Sequence, residues 1–96
     1  MKASIDELLK TAKIYQKSSS RVEEIAQELD KSTKALADNW SSVKQQSFFE
    51  YHKELIQYLD GCAEIMNAIA REIRETAERY EEADTKNINQ EEHKGD

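Results

Sequence analysis

Along residues 5–40 large and small side chains recur at alternating steps of three and four: Ile5, Leu8, Ala12, Tyr15, Ser19, Val22, Ala26, Leu29, Thr33, Leu36 and Trp40. Such a rhythm keeps one face of an α-helix in register with a partner helix and fits no strand. The pattern has a finer grain. Ala12, Ser19, Ala26 and Thr33 share one heptad position, while Leu8, Tyr15, Val22, Leu29 and Leu36 share the other. Small residues in register let a second helix approach closely, with larger side chains interlocking beside them. The partner is expected to be antiparallel.

The rhythm resumes after a short break as Phe48, His52, Leu55, Leu59, Cys62, Met66, Ile69, Ile73, Thr76, Tyr80 and Ala83. The expected architecture is therefore all-α: a helix over 4–40, a turn at 41–43 and a second helix over 43–84. Together these make an antiparallel hairpin spanning 1–84. No seam continues past Thr85, so 85–96 reads as a flexible polar tail. Asp60-Gly61 raises a three-helix alternative, since Asp-Gly is a turn signal. The seam nevertheless passes from Leu59 to Cys62 to Met66 without losing phase. The second helix is read as continuous, with Gly61 a point of close packing or a slight bend.

Phe49, Tyr51, Ile56, Tyr58, Ala63, Ile65 and Ala70 widen the second helix's apolar stripe beyond what one partner helix covers. Two hairpins packed as an elongated four-helix bundle, a rod of roughly 50 Å at 1.5 Å per residue, would cover it. A homodimer is the expectation, with a heterodimer of a related helical protein as its variant. Size points the same way, because a 96-residue chain supports only a marginal core. So does composition: no proline, two glycines and 35% charged residues suit long helices.

Charge and hydropathy exclude several partners. A net charge of −6 with acids and bases interleaved does not suit a phosphate backbone. No apolar run reaches the roughly 20 residues that span a bilayer. Residues 1–7, Met-Lys-Ala-Ser-Ile-Asp-Glu, hold no apolar signal segment, so export by the general secretory route is not expected. The single cysteine, Cys62, excludes an intrachain disulfide and reads as a reduced core thiol or, between two copies, a crosslink.

Catalytic chemistry has no foothold here. His52 and His93 form no ligand spacing with Cys62 or with a carboxylate cluster, and His52 reads as a bundle-edge residue. Glu23-Glu24, Glu81-Glu82 and Glu91-Glu92 lack the Glu-x-x-His partner of a di-iron bundle and read as solvated faces. There is no glycine-rich phosphate loop and no recognisable nucleophile motif. No cofactor, no metal and no enzyme activity are expected.

The turn is more informative. Ser42-Val43-Lys44-Gln45 has the form of a capping box, which would start the second helix tightly after Trp40. Trp40-Ser41-Ser42 in the turn, Phe48 eight residues after the tryptophan, and Tyr80-Glu81-Glu82-Ala83-Asp84 near the end of the second helix together resemble the WXG family. That family comprises small helical-hairpin substrates of the type VII (ESX) secretion system. The resemblance covers residues 4–84. It departs at Ser42, where the family has glycine, a residue that permits a positive φ at no cost.

The resemblance implies an antiparallel dimeric bundle, made in the bacterial cytoplasm without a cleavable signal peptide and exported folded. Tyr80 and Asp84 would form the Tyr-x-x-x-Asp secretion signal read by the membrane-bound ATPase of the machine, with the Trp40 turn of the other protomer beside it. The product would be a secreted, virulence-associated effector or an export adaptor. The alternative is a cytoplasmic helical adaptor or chaperone that pairs with a larger secreted helical partner.

Overall fold

A computed structural model describes the backbone of residues 2–40 and 45–94, and the side chains of residues 4–40 and 45–85. It consists of two helices, α1 (Lys2–Ala37) and α2 (Gln45–Lys94), packed along each other as an all-α hairpin. The molecule measures 82 × 15 × 14 Å. It is longer than the rod expected from the sequence, because α2 has 50 residues against 36 in α1 and runs past its partner.

One column of small residues carries the contact. On α1 the buried positions are Ile5, Ala12, Ser19, Ala26 and Thr33; on α2 they are Ala63, Ala70 and Ala77. All are spaced by seven. The buried Ser19 hydroxyl donates to the Ala63 carbonyl oxygen at 2.7 Å, which levels those two residues across the hairpin. Stepping outwards by sevens then sets Ala12 level with Ala70, Ile5 with Ala77, and Ala26 with Ile56. Methyl faces methyl, so the two backbones come close enough for a serine to reach a helical carbonyl of the neighbouring helix.

That closeness moves the centre of the contact. The sequence reads Phe48, His52, Leu55, Leu59, Cys62, Met66, Ile69 and Ile73 as the α2 seam, with Ala63 and Ala70 beside it. In the structure the most buried column lies one residue later, on Ala63, Ala70 and Ala77. Leu59, Cys62, Met66, Ile69 and Ile73 are half-buried flanks, while Phe48 and Leu55 are exposed. On α1, Leu8, Tyr15 and Val22 are half-buried, and Leu29 and Leu36 are exposed. Between closely spaced axes there is no volume for a leucine, so large side chains are displaced to the sides.

The helix ends also differ from the sequence reading. α1 stops at Ala37 instead of reaching Trp40, and its last carbonyls are closed locally. The Asp38 amide donates to Lys34 O, the Asn39 amide to Leu36 O, and the Asn39 side chain to Ala35 O. α2 continues to Lys94, ten residues beyond the expected boundary at Asp84. Residues 85–94 contain neither proline nor glycine, and adding residues to an existing helix avoids the cost of nucleation.

Gly61 lies inside α2 without interrupting it, as the unbroken seam implies. It is not a point of close packing, since a Cβ added there would meet nothing within 4 Å. Glycine at this position therefore only loosens the unfolded chain's descent into helix. Gly61→Ala is expected to raise stability by about 0.5–1 kcal/mol, read as an increased midpoint in thermal unfolding by circular dichroism.

Candidate functional site

Three places have the character of a site: the turn end, the broad apolar side of the hairpin, and the α2 segment beyond the start of α1. At the turn, Trp40 is half-buried just past the end of α1. Its ring meets Phe48 edge-on at 5.2 Å between centroids and Phe49 at 6.3 Å, and the two phenylalanines meet each other at 5.4 Å. Trp40 thus closes the turn end from the loop, bridging to α2, and is not the last core residue of a longer α1. Edge-on contacts of this kind add about 0.5–1.5 kcal/mol beyond area burial. Ser41, Ser42 and the proposed capping box at 42–45 involve residues 41–44, which lie outside the described residues.

The two sides of the hairpin differ in chemistry. Residues three after the buried column of α1 (Tyr15, Val22, Leu29, Leu36) and one before that of α2 (Leu55, Cys62, Ile69) turn towards the same side in an antiparallel pair. Further round α2 on that side, Tyr51, Tyr58 and Ile65 are 73%, 70% and 63% exposed. The opposite side holds an open groove of 440 Å³ rimmed by Glu23, Asp30, Asp60 and Glu64. Water solvates the acidic side readily; the apolar side is the one that association would cover.

The hairpin's own interior makes the same point. Its buried apolar residues, among those described, are Ile5 and five alanines, while Leu29, Leu36, Phe48, Leu55 and Ile65 remain exposed. An alanine methyl contributes only about 0.8 kcal/mol on burial. Most of the chain's capacity for apolar burial is therefore unused within one hairpin. Cys62 is a free, half-buried thiol on the edge of this apolar side.

At the far end, Ile5 is level with Ala77, so Tyr80 and Asp84 lie where α1 gives out. Being four residues apart on α2, they share one face; Tyr80 is exposed and Asp84 half-buried. The structure thus brings Tyr80 and Asp84 together but sets them at the opposite end of the same hairpin from Trp40.

One polar group of the interior went unread in the sequence as a cross-helix contact. His52 lies between Thr33, whose hydroxyl is 3.4 Å from its Nδ1, and Asp30, whose carboxylate is 3.3 Å from its Nε2. The other Asp30 oxygen accepts from Lys34 Nζ at 2.9 Å. Hydrogen bonding to Lys34 and then to His52 holds the Asp30 carboxyl below its ordinary range. The signal was present: Thr33 and His52 both occupied seam positions, but spacing within each helix does not reveal which residues face each other across it. Among the described residues no group of three or more His, Cys, Asp or Glu side chains could hold a metal ion. No helix among them is long and apolar enough to cross a membrane.

Two antiparallel helices joined by an aromatic turn, with a tyrosine and an acid on the projecting end of the second helix, define a class of small helical-hairpin proteins. The chain belongs to the WXG100 family, described as proteins of 100 residues with WXG, whose model matches residues 1–85; this is the family of small type VII secretion substrates. Comparison with curated proteins gave no match.

Proposed function

We propose that this chain is a type VII secretion substrate that leaves the cell as a folded pair of hairpins. The observation that carries the reading is the family match over residues 1–85, which takes in the aromatic turn, both helices' contact columns, and Tyr80 with Asp84. Pairing through the apolar side would bury Leu29, Leu36, Leu55 and Ile65, residues that a single hairpin leaves in water. The result is an antiparallel four-helix bundle in which Trp40 of one protomer comes near Tyr80 of the other. Tyr80 and Asp84 form the export signal, taken up by the membrane-bound ATPase of the secretion system.

The chain acts by binding and carries no catalytic function; its role is that of a secreted effector or an export adaptor. Molecular mass and compartment test this reading together. A dimeric mass by light scattering at micromolar concentration, with the same homodimer recovered from culture medium, is the expected result. A monomer would contradict pairing. A stable complex with a larger helical protein, recovered only from inside the cell, would favour a cytoplasmic adaptor instead.

A further inference from the structure

The large residues on the apolar side form one bounded column on each helix. On α1 they are Leu8, Tyr15, Val22, Leu29 and Leu36, with Val22 at the midpoint, and a further step of seven either way leaves the helix. On α2 a seam in alternating steps of four and three runs Tyr51, Leu55, Tyr58, Cys62, Ile65 and Ile69, with Asp60 at its midpoint. The next place after Ile69 is Glu72, and the place before Tyr51 is Phe48, whose ring is already packed against Trp40 and Phe49.

The two midpoints are level. Ser19 reaches the Ala63 carbonyl, and three residues on along α1 and three back along α2, Val22 stands beside Asp60. The columns belong to different helices, and the hydrogen bond that relates their heights belongs to neither. A two-fold axis across the apolar side at that height therefore turns both columns onto their own reverse at once. It lays α1 antiparallel on α1 and α2 antiparallel on α2. Val22 meets Val22 of the second copy, Tyr15 meets Leu29, and Leu8 meets Leu36. On α2, Leu55 meets Ile65, Tyr58 meets Cys62, and Tyr51 meets Ile69. Every facing pair is uncharged, so two chains of net charge −6 set no like charges against each other along the columns.

We infer that the apolar side is a self-complementary docking surface for a second copy of this chain, in an antiparallel register whose dyad passes at the height of Val22 and Asp60. Resting on the pairing proposed above, this register adds which residues meet. The α2 seam from Tyr51 to Ile69, half or wholly exposed in a single hairpin, goes under cover as a unit. Tyr80 lies twenty residues past Asp60, and twenty before it lies the turn with Trp40. The same dyad thus brings the end of one copy to the turn of the other, although neither residue belongs to the columns that set it. Cys62 lies two residues from the dyad in each copy. The two thiols are therefore staggered by about 6 Å along the axis, besides the gap between helices, and face tyrosine rings instead of each other.

Disulfide formation between copies of the full chain reads the register, in a Cys62→Ala background under mild oxidant. Val22→Cys places both sulfurs at the dyad and is expected to give a linked dimer about tenfold faster than Tyr15→Cys, whose two sulfurs lie about 21 Å apart along the axis. Tyr15→Cys combined with Leu29→Cys should link again. Those two positions are about 21 Å apart on one helix, so the bond must join two copies. The unsubstituted chain, with Cys62 alone, should stay unlinked; a bridge there as fast as through Val22→Cys would contradict the register. Light scattering on the reduced proteins separates register from pairing itself. A dimeric mass in which Val22→Cys stays unlinked, or links no faster than Tyr15→Cys, would overturn the register and leave pairing in place. A monomeric mass for the unsubstituted chain would overturn both.

Discussion

Replacing Tyr80 or Asp84 by alanine is expected to abolish export while leaving helix content and pairing nearly unchanged. Both residues lie on α2 where α1 gives out, and neither belongs to the buried column. Truncating side chains away from a core costs within about 0.5 kcal/mol, too little to unfold or unpair the chain. Loss of export would then report recognition and not folding. The comparison is an immunoblot of cells and medium for each variant beside Glu81→Ala, an exposed neighbour outside the Tyr-x-x-x-Asp pattern. Normal export of both variants would remove these residues as a signal. Circular dichroism and light scattering on the same proteins separate recognition from misfolding.

The second large effect is structural. Ala70→Leu should destabilise the hairpin by about 1–3 kcal/mol, because three added carbons must enter a contact built from facing methyl groups. Ala70 is 2% exposed and level with Ala12, which is fully buried. Accommodating the leucine requires the axes to separate, and separation also lengthens the Ser19–Ala63 hydrogen bond one heptad away. Ala68→Leu, two residues earlier on the exposed face, changes the same chemistry without that crowding and should be close to neutral. Chemical denaturation of both variants checks this. Equal midpoints would mean that the alanine column does not set the helix separation.

Much of the hairpin was legible because its signals are local. The Ala12, Ser19, Ala26 and Thr33 column announced a close antiparallel partner, and that column is the buried face of α1. The phase carried through Gly61 implied one continuous α2. The α2 contact was harder to place. Ala63, Ala70 and Ala77 are unobtrusive beside Leu55, Cys62 and Ile69, and apolar size draws the eye to the flank. The α2 stripe takes in both the buried column and an exposed face, and periodicity alone cannot divide the one from the other.

Helix length was limited by a different ignorance. Residues 85–94 carry no seam, so nothing in their pattern demanded a helix; only the absence of a breaker allowed one to continue. The eight-residue spacing of Trp40 and Phe48 is matched by their edge-on contact, whereas the heptad seam carried Trp40 into a helix that ends at Ala37. The contact of His52 with Asp30 was invisible, since it depends on cross-helix register, which the serine–carbonyl bond at Ser19 reveals only in three dimensions.

The most direct test of the functional reading compares otherwise identical native cells with and without the membrane ATPase of the type VII system, following this chain in cells and medium. The chain should accumulate in the medium of the intact strain and be retained in the cells of the other. Equal amounts in both media, with no cell lysis, would contradict export by that system.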